Sequence, residues 1–305
     1  MHLLITGCGF LGFTVAELML RDGYGIHFVV KRPNTRLIYL LETFPNQVTF
    51  SESNPDSLVH IFKKREFGAV LHLATNYGRS ASFEFSSVLD VCHDNLAFPC
   101  QILKLANRAG VPLFINTDSY FNKEGLQFPR LIDYALTKKS FLLWLDNHDL
   151  DIITCTLRLE HVYGLFDRPE KFVSQAISQI ALSQSRSFKA SQGFQTRDFV
   201  NSRDVANAFK CVIESKSKEK LKSQIFEVGF GSGKSIRAFL NLIREISSSR
   251  TLIEFGSVPL RSNEIFNSAA NLIKMNELGW KPEISIQQGV SEIVKRAKDG
   301  ESWLF

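Results

Sequence analysis

HLLITGCGFLGFTVAELML, residues 2–20, constrains this chain more than any other stretch. An apolar run of strand length, HLLIT (2–6), meets Gly7, Gly9 and Gly12 in a G-x-G-x-x-G pattern, and a helical run from Phe10 to Arg21 starts at once behind it. That order gives each glycine a physical task. Gly7 permits the tight turn, Gly9 lets backbone approach a pyrophosphate, and Gly12 lets helix pack on strand, with the helix N-terminus facing the phosphates. The plain alternative is a glycine-rich turn that binds nothing.

The first half of the chain repeats the theme. IHFVV (26–30), VTF (48–50), AVLHLA (69–74), VPLFINT (111–117) and DIITCTLRL (151–159) read as strands. Helical segments lie between them at 56–65, 87–109 and around Tyr134. Strands and helices alternating at this spacing predict βαβ units, hence an α/β fold with a Rossmann-type doubly wound parallel sheet. Further on the pattern loosens: a helix from about Glu170 to Ser183, the turn-rich ASQGFQTRDF (190–199), a helix from Ser202 to Ile213, a strand QIFEVG (224–229) and a helix from Ile236 to Ile246. We expect residues 1–165 to form the dinucleotide domain, with a return near 197–229. Residues 166–196 and 230–305 would form a smaller, interwoven C-terminal α+β substrate lobe. A second glycine cluster, GFGSGKS (229–235), fails the P-loop pattern by one place because Val228 stands where glycine is needed. It reads as a strand-to-helix turn.

Composition narrows the partners. With 305 residues, 44% of them hydrophobic, the chain can fill one large α/β unit or two lobes. Its formal charge of +5 is mildly basic and lacks a dense Lys/Arg tract, so no nucleic acid and no acidic membrane is expected as a partner. The one concentrated run, SKSKEKLKS (215–223), mixes signs. Five cysteines, Cys8, Cys92, Cys100, Cys155 and Cys211, are odd in number and lack C-x-x-C spacing, so neither a disulfide framework nor a metal site is expected. A cytoplasmic location fits. No apolar run approaches the roughly 18 residues of a membrane span, and a strand beginning at Leu3 leaves no room for a leader.

Two local patterns point to chemistry. NAD binders place an acid about 20 residues past the glycines, at the end of the second strand. Here that strand runs into VVKRPN, no Asp or Glu stands between Gly23 and Leu41, and Lys31 and Arg32 sit where a 2′-phosphate would need charge. NADP(H) is therefore the expected coenzyme, two ordinary loop cations being the alternative. Downstream, FINTDSYF (114–121) ends a strand in a polar burst, and YALTKKSF (134–141) sets Tyr134 and Lys138 one helical turn apart on one face. Thr117, Tyr134 and Lys138 together supply what carbonyl reduction needs: a hydroxyl to hold the carbonyl, a phenol to protonate it, and a cation to lower the phenol's ordinary pKa of about 10. The alternative is a packed tyrosine beside a snorkelling lysine.

LITGCGFLG (4–12), LHLAT (71–75), DNLAFPCQILKLA (94–106), FINTDSYF, Y-x-x-x-K at 134–138, LRLEHVYG (157–164), RDFVNSRDVANAF (197–209), FEVGFGSGKSI (226–236) and LRSNE (260–264) together carry a resemblance over essentially the whole chain. It resembles the extended short-chain dehydrogenase/reductase family of NAD(P)-dependent sugar-nucleotide epimerases, dehydratases and reductases. The resemblance implies that Gly7, Gly9, Phe10, Leu11, Gly12, Lys31, Arg32, Leu73, Ala74, Asn95, Tyr134 and Lys138 line the coenzyme. It implies sugar contacts from Tyr77, Arg79, Asp118, Ser119, Glu160, His161 and Lys171, and diphosphate contacts from Arg197 and Arg261. The bland readings are ion pairs with Asp198 and Glu264 for the arginines, a satisfied structural side chain for His161 and helix capping for Asn95.

Within the family, NTDSYF, ATNYGR (74–79), RLEHVYG and YALTKKSF look most like the CDP-paratose and CDP-abequose synthases. These are reductases at C4 of CDP-4-keto-3,6-dideoxyhexose in O-antigen sugar synthesis, which implies a CDP-linked deoxyhexose substrate. Dehydratases of the family resemble T-D-E at the catalytic strand end, whereas this chain has Thr117-Asp118-Ser119 and lacks that base. The basic VVKRPN likewise departs from the acid of cofactor-retaining epimerases, and both departures favour a reductase that consumes NADPH. Other readings are an NAD-dependent 4-epimerase, a dTDP-4-ketohexose reductase, or a non-catalytic NADP-binding protein. Relatives pair two helices from each subunit, so helices near 90–109 and 131–147 are expected to form a homodimer.

Overall fold

A computed structural model describes residues 1–78, 85–123, 131–183, 185–261 and 264–300. The chain divides into two units, one formed by Met1–Arg158 with Ala206–Phe226, the other by Leu159–Val205 with Glu227–Phe305. Among the described residues no helix is long and apolar enough to cross a membrane.

In the first unit the strands are β1 (His2–Thr6), β2 (Gly25–Val30), β3 (Val48–Glu52), β4 (Ala69–His72), β5 (Leu113–Ser119) and β6 (Ile153–Leu159). The helices are α1 (Phe10–Arg21), α2 (Thr35–Thr43), α3 (Pro55–Lys64), α4 (Phe85–Cys92), α5 (Phe98–Arg108) and α6 (Ile132–Asp146). With β11 (Gln224–Val228) the strands form one seven-stranded sheet in the order β11-β6-β5-β4-β1-β2-β3. β1 pairs in parallel with both β2 and β4, β2 with β3, and β4 with β5. The doubly wound sheet expected from the strand–helix alternation is present. Its chain order reverses on either side of β1, and that reversal opens a crevice at the carboxyl ends of the strands.

The residues at this switch point are held by the core beneath. Leu4, Val70 and Phe114 from the sheet pack with Ile102 and Ala106 of α5 and with Phe141 and Leu145 of α6, all buried. Burying one Leu or Phe side chain contributes about 1.5–3 kcal/mol, so this layer fixes α6 against the sheet.

One expected helix, 87–109, is interrupted. A wide π turn, His93–Ala97, separates α4 from α5, and the Phe98 amide bonds to the His93 carbonyl five residues back. Pro99 accounts for it: it has no N–H to give the Asn95 carbonyl, and its ring crowds that carbonyl, so the turn opens. Asn95 is thereby left fully buried.

The second unit holds β7 (His161–Tyr163), β8 (Ser187–Ala190), β9 (Thr196–Arg197), β10 (Phe199–Asn201), β12 (Lys234–Ser235) and β13 (Leu252–Phe255), which pair two by two as β10-β7, β12-β9 and β13-β8. Its helices are α7 (Phe172–Ala176), α9 (Ile236–Ser247), α10 (Ile273–Glu277) and α11 (Ile286–Lys298), while α8 (Ser202–Glu214) runs from this unit into the first. Phe239, Leu240 and Ile243 of α9 and Ile293 of α11 share a core with Phe199. Ser285 and Gln288 close a reciprocal capping box at the start of α11.

Candidate active site

The glycine turn leaves β1 at Gly7, whose φ of +80° an L side chain rarely adopts. A methyl group on Gly7 would meet the Ala74 backbone at 3.0 Å, and one on Gly12 would lie 2.2 Å from the Gly7 carbonyl oxygen. These two glycines are required by packing. Gly9 is different: among the described residues nothing lies within 4 Å of a methyl placed there, and it is the N-cap of α1, with no capping side chain and no acid in the first turn. A bare helix N-terminus over an open glycine fits the pyrophosphate of a dinucleotide. Phe10 and Leu11 flank it half-buried, and the Leu73 and Ala74 amides are tied to Thr6 Oγ1 at 3.1 Å each, which sets the opposite wall.

Thr6 Oγ1 accepts both amides, so its own proton goes to His72 Nδ1 at 2.9 Å, and His72 carries its proton on Nε2. Burial pushes His72 well below the usual imidazole range, with the Lys138 charge adding to the effect, so it stays neutral. Its main-chain carbonyl takes the Thr117 hydroxyl proton at 2.9 Å.

Tyr134, Lys138 and Thr117 are all buried, and α6 and β5 bring them together. Lys138 Nζ donates to the Thr117 carbonyl at 3.0 Å. Desolvation brings its pKa down to about 8, against the Asp118 carboxylate, which raises it. Tyr134 moves the opposite way from the sequence expectation. Burial raises its pKa well above the ordinary value, Tyr77 and Asp118 raise it further, and only a hydrogen bond from Ser119 opposes them. The reason is where the lysine points: the ammonium is bonded to a strand carbonyl, and a phenolate in this desolvated pocket is disfavoured. At neutral pH the phenol is therefore fully protonated. The Tyr77 ring lies over Tyr134, with centroids 4.7 Å apart and planes at 30°.

Asp118 faces into the chain. One carboxylate oxygen takes Arg158 Nε at 2.8 Å, the other takes Asn122 Nδ2 at 2.7 Å. Arg158, at the end of the neighbouring strand β6, went unnoticed in the sequence because nothing local pairs it with Asp118; strand order alone brings them together. Asn95 clamps Asn76 at both ends, accepting from its amide and donating to its carbonyl at 2.8 Å each, and donates to Thr137 at 3.1 Å. It thereby anchors the backbone immediately before Tyr77. Lys31 pairs with Asp94 at 2.7 Å, while Arg32 is exposed. Arg79 lies outside the described residues.

The other candidates lie in the second unit. Arg197 is buried in a pair with Glu264 and bonds to the Thr196 and Ile265 carbonyls at 2.7 and 2.6 Å. Its neighbour Asp198 gathers three amides, those of Phe230, Gly231 and Ala270. Glu160 is buried and accepts from Ser268 Oγ at 2.6 Å. His161 is pushed down to about 3 by burial and by the charges of Arg197 and Lys171, so it is neutral. Lys171 is the half-buried N-cap of α7, and Arg261 is exposed.

Known proteins place this geometry in a family. A CDP-abequose synthase of Salmonella typhimurium is 34% identical over 233 residues, covering 74% of this chain and 75% of its own. The CDP-abequose synthase of Salmonella muenchen is 28% identical over 302 residues, 96% of each chain. Among solved structures, the UDP-glucose 4-epimerase of Thermotoga maritima superposes with a TM-score of 0.82 at 21% identity, covering 98% of this chain and 99% of its own. A dTDP-glucose 4,6-dehydratase of Bacillus anthracis, in complex with NAD, gives a TM-score of 0.81 at 19% identity, covering 100% and 98%. The family model for the NAD dependent epimerase/dehydratase family matches residues 3–229, and to that family this chain belongs.

Proposed function

We propose that this protein is an NADPH-dependent reductase of the C4 ketone of a CDP-4-keto-3,6-dideoxyhexose, in O-antigen sugar synthesis. The observation that carries the reading is the strand end Thr117-Asp118-Ser119 beside a protonated Tyr134. The position after the aspartate holds a hydroxyl bonded to the phenol, not a carboxylate base, and Asp118 itself is engaged by Arg158 and Asn122. Such a strand end can support a proton donor and, among the described residues, carries no free carboxylate to remove a proton from carbon. The similarity to two CDP-abequose synthases supports the substrate class.

The bound coenzyme supplies the hydride, and the chain supplies the proton. Tyr134 donates it to the C4 oxygen, and the Ser119 hydrogen bond favours the phenolate left behind. Lys138 holds its ammonium on the main-chain carbonyl of Thr117, the residue proposed to meet the substrate oxygen. Thr117 has already given its proton to the His72 carbonyl, so it engages the substrate oxygen only by turning away from that bond or by accepting from a product hydroxyl. Lys31 and Arg32 supply the cations on which the preference for NADP(H) rests.

Leu89 on α4 and Ile132, Leu136 and Leu143 on α6 are each more than half exposed. The three on α6 share one face, and we read that face as covered by a second copy in a homodimer.

The test is incubation with CDP-4-keto-3,6-dideoxyhexose and either NADPH or NADH, following loss of reduced coenzyme and identifying the sugar by NMR. Net oxidation of NADPH with formation of a C4 alcohol is expected. An interconversion without net coenzyme oxidation assigns an epimerase, and binding without turnover assigns a sensor.

A further inference from the structure

Lys31 follows the last residue of β2, Asp94 lies in the π turn behind α4, and β1 runs between β2 and β4. The Lys31 ammonium reaches both Asp94 oxygens, at 2.7 and 2.8 Å. Asn76, four residues past β4, also donates to Asp94 at 2.9 Å, which puts the carboxylate at the carboxyl edge of the sheet. The ion pair therefore bridges that edge above β1, where the glycine turn opens. Both partners belong to the first unit.

Asp94 here does what a phosphate would do: it is an anion seated on the lysine that follows β2. We propose that Asp94 is a specificity-determining residue for the coenzyme, an internal anion that holds Lys31 until a 2′-phosphate takes the lysine from it. The inference deepens the NADP(H) reading and rests on it.

Three observations carry it. The Lys31 side chain is 66% exposed and that of Asp94 13%, so the lysine is the partner free to swing while the carboxylate stays. Releasing Lys31 does not orphan Asp94, because Asn76 and His93 Nδ1, the latter at 3.2 Å, remain bonded to it. Burial pushes the Asp94 pKa up, yet the hydrogen bonds from Lys31, His93 and Asn76 outweigh burial and bring it below the usual range, so the anion is present throughout the neutral range. A 2′-phosphate must then displace a carboxylate and tolerate its negative charge nearby. A carboxylate also accepts from ribose hydroxyls, so the same residue favours the coenzyme that lacks the phosphate.

The experiment measures dissociation constants of NADPH and NADH, without sugar substrate, for the wild type, Asp94→Asn, Lys31→Met and the double variant. Asp94→Asn is expected to tighten NADPH about three- to tenfold while NADH changes little or weakens, the gain being bounded by the exposure of the lysine. That gain should vanish when Lys31 is Met and shrink as salt is raised. Asp94→Ser, also uncharged, should move the ratio the same way and serves if the Asn variant melts early. An unchanged NADPH/NADH ratio in the uncharged variants, or a gain that persists without Lys31, overturns the proposal. A wild type that prefers NADH but shifts toward NADPH in Asp94→Asn overturns only the NADP(H) reading and leaves the role of Asp94 standing.

Discussion

Tyr134 and Lys138 are set by burial more than by each other. The phenol's pKa lies well above its usual value, and the ammonium's falls to about 8. The sign of the pH response follows. A base whose pKa is lowered keeps its proton below that value and loses it above, so the positive charge on the Thr117 carbonyl disappears as pH rises through about 8, while Tyr134 stays protonated. The reduction rate at saturating substrate is expected to fall across that range, and a level pH–rate profile there removes the Lys138 charge from the mechanism. Tyr134→Phe should lower turnover about 10²–10⁴-fold at every pH, the usual contribution of a positioned proton donor, with coenzyme affinity retained. Stopped-flow single turnovers separate the two effects, since only loss of the donor lowers the rate on the acid side.

The glycine turn can be dissected in the same way. Gly12→Ala drives a methyl group into the Gly7 carbonyl and should destabilise the fold by about 1–3 kcal/mol, read as a lowered melting temperature. Gly9→Ala meets open space and has an ordinary φ of −79°, so its melting temperature should hold while dinucleotide affinity drops. Equal loss of stability in both variants would mean the space over Gly9 is not the coenzyme's. Elements with a strong local signal were legible here: β1, α1, β2 and the start of β4 lie where their apolar periods put them. The 87–109 helix was legible as a helix but not as one interrupted by a π turn, because the signal in it was a single proline. Helices α2 and α11 went unread; α2 opens on TRLIYL straight after a proline-containing loop, and α11 is capped by a Ser–Gln box inside a polar stretch.

For the assembled protein, the apolar stripe of α6 gives the clearest prediction. Leu136→Glu combined with Leu143→Glu places charges on a face already exposed in one copy, so the fold should hold. Analytical ultracentrifugation should show the wild type as a dimer and the variant as a monomer; a wild type that sediments as a monomer at micromolar concentration discards the dimer reading. Determined by the sequence alone were the features written in neighbouring residues: the strand–glycine–helix turn, the alternation that makes a doubly wound sheet, and the helical spacing of Tyr134 and Lys138. The tertiary structure alone decided the partners. It joined Arg158 to Asp118, Lys31 to Asp94, Arg197 to Glu264 and Asn95 to Asn76. It also reversed the expected shift of the phenol. Both outcomes depend on which strands lie side by side and on how much water is excluded, and neither quantity is local in the chain.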